Sequence, residues 1–505
     1  MRKHWQNYSL TLAIIVLGLL VAEAITRYLD NLPVLAISFP QALSSQTATA
    51  QQRDTVQLAP GVSPAWFLDD PPPLPNRSVP SAEWIRRFAD AEQAAQLASA
   101  SGPLLFQPSD MFKVWNTVWA GDSCTNRMFR SMGARSLYFF EPPEGLPYPR
   151  YRYYPNATTP GGLVTNEIGW RGPPLRPLTR RTIRIVFVGA STTADTHAFP
   201  WSYPELIDHW LGLWAASKKI DVDFQALNAA RESIWSTDNA AIVRNEVAPM
   251  QPDLVVYYEG ANQFSLASLA PTMAPAAPPR STLVATATPS WLRELARYSA
   301  LARRLQAALG MIADNLDGRE PVKPPYQLEW PKGLNETDPD LDFPALPVNL
   351  NTIQTDLDQM RTDLAAVNAD LAVASFAWFA KDGMVLDPVR HRFILQYLNR
   401  TMWPFRYRDI ERLAAFQNRV FKKYAARHHL PFIDVARDMP QDPDLYSDAI
   451  HNTLSGLRVR AWIVFQQLVP IIEDRMARGL WPKQAERHEQ RPLFDPQEKE
   501  LRTCD

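Results

Sequence analysis

Apolar residues fall into three patterns along this chain. The first is a single long block near the start. Residues 10–22 are almost wholly apolar, the run reaches Ile25 if Glu23 is carried with it, and Arg27 and Asp30 close it. The second is a set of short runs of strand length: 185–188 after Arg184, 224–227, 254–258 after the turn Pro252-Asp253, 371–376 and 431–435. The third is helical spacing between those runs: Leu206, Trp210 and Leu213, then about 236–248, then 350–368, then a C-terminal stretch with Ala461, Val464 and Leu468 on one face. Continuous apolar runs alternating with helices predict a parallel α/β sheet covered on both faces.

The first block has basic residues before it, Arg2 and Lys3. That charge pattern predicts a single-pass helix in the inner membrane with the rest of the chain outside the cytoplasm. Ala22-Glu23-Ala24 resembles a small-x-small cleavage site, so a removed signal peptide is the alternative. Residues 31–80 are rich in Pro, Ser, Thr and Gln and read as a flexible or extended tether. An accessory region spans 81–180, opening with a helical pattern at 81–100 and continuing with dense aromatics that are either core or a sugar-binding surface. The main domain occupies 181–475, with a Pro-rich insertion at 265–350 expected to lie over the site and set substrate choice, and a polar tail runs from 476 to 505.

Composition narrows the function classes. The chain has 505 residues, 46% of them hydrophobic, enough for a large core with appendages. Its net charge of -1, from 52 basic and 53 acidic residues, supplies no global field for nucleic acid. The two cysteines, Cys124 and Cys504, are neither a disulfide scaffold nor a zinc set. Whether they pair stays open.

Candidate chemistry sits where the strand runs end. Gly189-Ala190-Ser191-Thr192 follows the first run and precedes a helix, the context an exposed nucleophilic serine needs. A capping turn is the plainer reading. Asp448-Ala449-Ile450-His451 stands just before the last helix, so the carboxylate can orient the imidazole three residues on. His451 can then take the Ser191 proton. An oxyanion would need preorganised donors, and the backbone N–H of Ser191, the backbone N–H of Ser233 and the side-chain amide of Asn262 are the candidates. His197, His209 and the pair His428-His429 carry no assigned role.

Four blocks in this order, Gly189 to Thr192, Asn228 to Ser233, Gly260-Ala261-Asn262 and Asp448 to His451, resemble the sequence blocks of the SGNH, or GDSL, hydrolases over roughly residues 160–475. The segment from Asn166 through Gly169, Trp170 and Arg171 is similar to the lead-in of membrane-anchored bacterial members. Two positions depart from the pattern: Ala190 stands where the family has aspartate, and Ser233 where it has glycine. The resemblance implies a flavodoxin-like three-layer α/β/α sandwich and serine ester chemistry without metal or cofactor. The expectation is an extracytoplasmic esterase acting on an ester such as an O-acetyl group of a surface glycan. An O-acyltransferase using the same residues, and a non-catalytic glycan-binding or assembly protein, are the alternatives.

Overall fold

The computed structural model describes residues 2–29, 50–76, 164–195, 200–266, 318–387 and 391–483, with shorter pieces at 34, 139–140, 148–149, 152–153, 155–156, 269–270, 295, 299–308 and 487–492. Cys124, Cys504, His197 and the helix expected at 81–100 lie outside the described residues.

Two short strands, β1 (Phe139–Phe140) and β2 (Arg152–Tyr153), pair antiparallel. The main sheet has five strands: β3 (Thr182–Gly189), β4 (Asp223–Asn228), β5 (Leu254–Tyr258), β6 (Asp370–Ala374) and β7 (Phe432–Ile433). Their order is β4-β3-β5-β6-β7 and every pairing is parallel. Numbered from the first strand of this sheet, that order is 2-1-3-4-5, the doubly wound flavodoxin-like arrangement. Its strand order reverses between β3 and β5, and the crevice outside the carboxyl ends of those strands is where such sheets hold ligands.

Each strand run is apolar because helices cover both faces. Ile183, Ile185, Val186, Phe187 and Val188 of β3 are all fully buried. On one face the helices Tyr203–Lys218 and Leu454–Ala477 pack together through Trp210 and Trp462, whose rings meet edge-on at 5.0 Å. The first of these starts at Ser202, whose backbone N–H donates to Glu205 Oε2 at 2.6 Å, and ends at Lys219 in the left-handed conformation. The other face carries Ser236–Ile242, Leu350–Ala365 and Tyr407–Arg427, burying Ile353, Leu357, Leu413, Phe416 and Val420. Burying one such side chain contributes roughly 1.5–3 kcal/mol.

One expectation about the first part of the chain is corrected. Residues 50–76 do not behave as a tether. Val56, Val62 and Phe67 are buried, the Phe67 ring meets Trp462 at 5.5 Å, and the Ala59 N–H donates to Gln466 Oε1 at 2.6 Å. An extended proline-rich strip can still cover a helix groove when apolar residues recur along it. The described residues of the tail, 481–483 and 487–492, lie across the amino ends of the strands. Arg487 pairs with buried Asp253 at 2.8 Å, Lys483 Nζ donates to Pro252 O at 2.6 Å, and Glu489 reaches Arg184 at 2.6 Å. Arg184 itself lies inside β3, fully buried, and also donates to Gln225 Oε1 and Met250 O.

The N-terminal helix Arg2–Leu29 contains a stretch, Leu10–Leu29, with mean hydropathy 2.0, long and apolar enough to cross a membrane. Within the insertion the described residues include the helix Ala300–Ala308 and an irregular stretch whose Leu334, Leu341, Leu346 and Val348 join the core.

Candidate active site

β3 ends at Gly189, and the chain turns at once into the short helix Ser191–Ala194. Gly189 has to be glycine here: a Cβ would lie 2.2 Å from Tyr258 O and 2.5 Å from Thr193 Oγ1. The turn is tied down from several sides. Thr193 Oγ1 donates to Tyr258 O at the end of β5 (3.0 Å), and Asn228 Nδ2, at the end of β4, donates to Thr193 O (2.8 Å). Arg171 donates to the carbonyls of Ala194 (3.0 Å) and Asp195. Asp195, in the left-handed conformation, accepts the Tyr203 N–H and pairs at 2.7 Å with Arg460 of the last helix. Both partners of that ion pair are buried, and the Arg460 guanidinium lies 4.6 Å from the Tyr203 ring centroid.

The loop before the helix Leu454–Ala477 brings the second half of the site. Its backbone is fixed by Ser447 N–H to His451 O (2.8 Å) and by Phe379 N–H to Ala449 O (2.8 Å), and Thr453 caps the helix through Gly456 N–H (3.2 Å). Asp448 Oδ1 accepts the N–H groups of Ile450 (2.9 Å) and His451 (2.8 Å), while Oδ2 lies 2.8 Å from His451 Nδ1. His451 Nε2 lies 2.8 Å from Ser191 Oγ. A carboxylate only accepts, so Nδ1 donates to it and Nε2 is left to accept the serine hydroxyl. Burial pushes the Asp448 carboxyl up, but His451 and these hydrogen bonds outweigh it and hold it below the usual aspartate range.

The structure thus brings Ser191, His451 and Asp448 into one hydrogen-bonded chain, although 260 residues separate the serine from the histidine. The other expected residues lie at the same sheet edge. Ser233 sits in the loop after β4 with φ 55°. Glycine would adopt that conformation freely, and the serine adopts it at some strain. Asn262 follows β5, and its Nδ2 donates to Ile234 O at 2.8 Å, joining the β5 turn to the Ser233 loop. Of the histidines set aside, His209 lies 3.2 Å from Asp69, and His428 rests against the Tyr424 ring on the far helix.

Several residues around the site went unread in the sequence. Glu259 is buried, and its Oε1 accepts the N–H groups of Ala261 (3.0 Å) and Asn262 (2.8 Å), which fixes the turn carrying Asn262. Its Oε2 has no hydrogen-bond partner among the described residues. Tyr397 lies within electrostatic reach of both Asp448 and Glu259. The available signals were local: a charged Arg460 between the apolar Val459 and Ala461, and an acid at the end of the apolar β5 run.

No family model and no curated protein matches the sequence. Solved structures do. A GDSL-like lipase from Bacteroides thetaiotaomicron is 11% identical, with 60% of this chain and 92% of that one covered and a TM-score of 0.29. For a lipase/acylhydrolase from Enterococcus faecalis the figures are 16%, 60%, 100% and 0.30. For a catalytic mutant of an acetylxylan esterase from Geobacillus stearothermophilus they are 13%, 57%, 94% and 0.30.

Proposed function

We propose that this chain is an SGNH-type ester hydrolase, held in the cytoplasmic membrane by its N-terminal helix with the catalytic domain outside the cytoplasm. The observation that carries the reading is the Asp448–His451–Ser191 chain, with 2.8 Å at both links. His451 Nε2 takes the hydroxyl proton as Ser191 Oγ attacks the ester carbonyl carbon. Asp448 holds the imidazole in the tautomer this requires and stabilises the imidazolium. The carbonyl oxygen becomes an oxyanion held by the N–H groups of Ser191 and Ser233 and by the Asn262 amide. An amide nitrogen has two hydrogens, so Asn262 can keep its bond to Ile234 O and still donate one. The carbon–oxygen bond to the alcohol then breaks as His451 returns the proton to that oxygen, leaving an acyl-serine. Water, deprotonated by His451, then attacks the acyl carbon, and the bond to Ser191 Oγ breaks as His451 returns the proton to that oxygen, releasing the acid.

The ester we assign is an O-acetyl group on a surface glycan, an acylated polymer within reach of an anchored extracytoplasmic domain. The test is turnover of a simple acetyl ester and of acetylated glycans by the purified full-length chain beside Ser191→Ala. Acetate release only by the wild-type chain supports the reading. Acyl groups appearing on an added sugar hydroxyl instead of in water make it a transferase, and turnover equal to that of the folded Ser191→Ala chain makes it a binding protein.

A further inference from the structure

The N-terminal helix has two unlike parts. From Leu10 to Val21 its side chains are exposed; Thr26 and Arg27 are buried. The uninterrupted apolar stretch, residues 10–22, rises only about 20 Å at ~1.5 Å per residue. A bilayer core is about 30 Å thick, so a spanning helix has to carry Glu23 and Arg27 with it. Isolated charges there are costly. Here neither is isolated. Arg27 Nε donates to Glu23 Oε1 at 2.7 Å. The remaining capacity of Glu23 goes to a segment 276–278 residues away: Ser299 Oγ (2.7 Å), Ala300 N–H (2.8 Å) and Leu301 N–H (2.9 Å). These are the first donors of the helix Ala300–Ala308, so Glu23 caps that helix from another part of the chain.

The capped helix is oriented against the rule for a water-facing helix. Its polar residues Arg303 and Gln306 are buried, each 3% exposed, while Leu305 is 55% exposed. Leu295 just before it, and Ile25, Tyr28 and Leu29 on the capping helix, are exposed as well. These apolar side chains extend the bare surface of the N-terminal helix, and that continuity decides what covers them.

We propose that the helix Ala300–Ala308 docks against the phospholipid bilayer beside the anchor, with Glu23 as its cap, so that the catalytic domain sits on the membrane in one orientation. The inference rests on the reading of the N-terminal helix as a retained anchor. Removal of that helix after Ala24 would take the Glu23 cap with it. The docked helix is also linked to the site: Arg303 lies 3.7 Å from Asp387, the His391 N–H donates to Asp387 O, and His391 Nε2 lies 2.8 Å from Asp444, at the start of the loop that carries His451. The site would thereby act on esters held close to the bilayer surface.

The experiment uses the full chain with Cys124→Ser and Cys504→Ser in phosphatidylcholine vesicles. A single nitroxide is placed by Leu17→Cys in the anchor, Leu305→Cys in the docked helix, or Asp221→Cys on a distant exposed turn. Collision with lipid-soluble oxygen and with a water-soluble nickel chelate is read for each. The expected result is that labels at 17 and 305 lose nickel collisions and keep oxygen collisions, with 221 the reverse. Adding Glu23→Ala should return the label at 305 to nickel. A label at 305 that behaves like 221 while 17 stays in lipid overturns the docked helix and leaves the anchor standing. A label at 17 that behaves like 221 overturns the anchor reading, and the inference with it. Label–label broadening at 305 replaces the bilayer by a second copy of the chain, and an unchanged label in the Glu23→Ala chain overturns the cap.

Discussion

In the turn from 448 to 451 a buried aspartate accepts the backbone N–H groups two and three residues further on; in the turn from 259 to 262 a buried glutamate does the same. Each turn presents a polar side chain three residues after its acid, His451 in one and Asn262 in the other. Yet burial drives Glu259 up to about 7, with its backbone donors offsetting only part of the cost, while Asp448 lies below the usual aspartate range. The difference is one partner. Asp448 has the His451 imidazole against its second oxygen, and Glu259 Oε2 has no hydrogen-bond partner among the described residues. Two backbone hydrogen bonds do not overcome the desolvation of a carboxylate; an additional cationic or donor side chain does. One turn therefore holds a charge near neutral pH, and the other sits at the edge of losing it.

The largest expected effect tests the partner directly. Ser191→Ala or His451→Ala should each lower kcat by roughly 10⁶-fold, with the double variant little worse, because the two act as a unit. Steady-state turnover of one acetyl ester, on chains shown folded by circular dichroism, measures this, and substantial turnover by folded His451→Ala refutes the assignment. Asp448→Asn keeps the turn but removes the charge, and kcat should fall by roughly 10⁴-fold. In the other turn, Asn262→Ala should cost about 10²–10³ in kcat, the loss typical of one oxyanion donor. Its KM should change little.

Glu259→Gln sharpens the contrast through stability. Glu259 is held near 7 in the fold against an ordinary 4.5. Below about pH 4.5 both states are protonated and the carboxyl costs nothing. Between about 4.5 and 7 the folded state binds the additional proton, so stability falls as pH rises and then levels off. Glu259→Gln should abolish that fall, worth roughly 3 kcal/mol above neutral pH. Urea unfolding from pH 4.5 to 8 reads it, and parallel stability curves for the two proteins would show that Glu259 does not titrate between folded and unfolded states. Smallest of all, Ser233→Gly should leave turnover within about twofold. Its proposed contribution is a backbone N–H, and glycine adopts φ 55° without strain. A large loss would give the serine hydroxyl a part that the backbone donor does not explain.

Much of the fold was legible because parallel strands buried on both faces must be apolar throughout. The runs at 185–188, 224–227, 254–258, 371–376 and 431–435 each contain or overlap a strand of the sheet. β3 is longer than its apolar run because buried Arg184 lies inside it, and that arginine finds Glu489 only when the tail folds back 305 residues later. The candidate site was legible where chemistry and chain position coincide. Ser191 after a strand and His451 three residues beyond Asp448 could be named from spacing alone, and their distances could not.

What the sequence determined by itself was local and periodic: the apolar block that can cross a membrane, the strand runs, the helices between them, and the residue types at their ends. Those follow from short-range sterics and from which faces need burying. Tertiary structure alone decided the rest. It packed residues 50–76 onto the core, paired Asp195 with Arg460, left Glu259 without the partner Asp448 has, and set Glu23 on a helix 276 residues away. A charge is stabilised by whichever groups reach it through space, and periodicity along the chain carries no record of which those are.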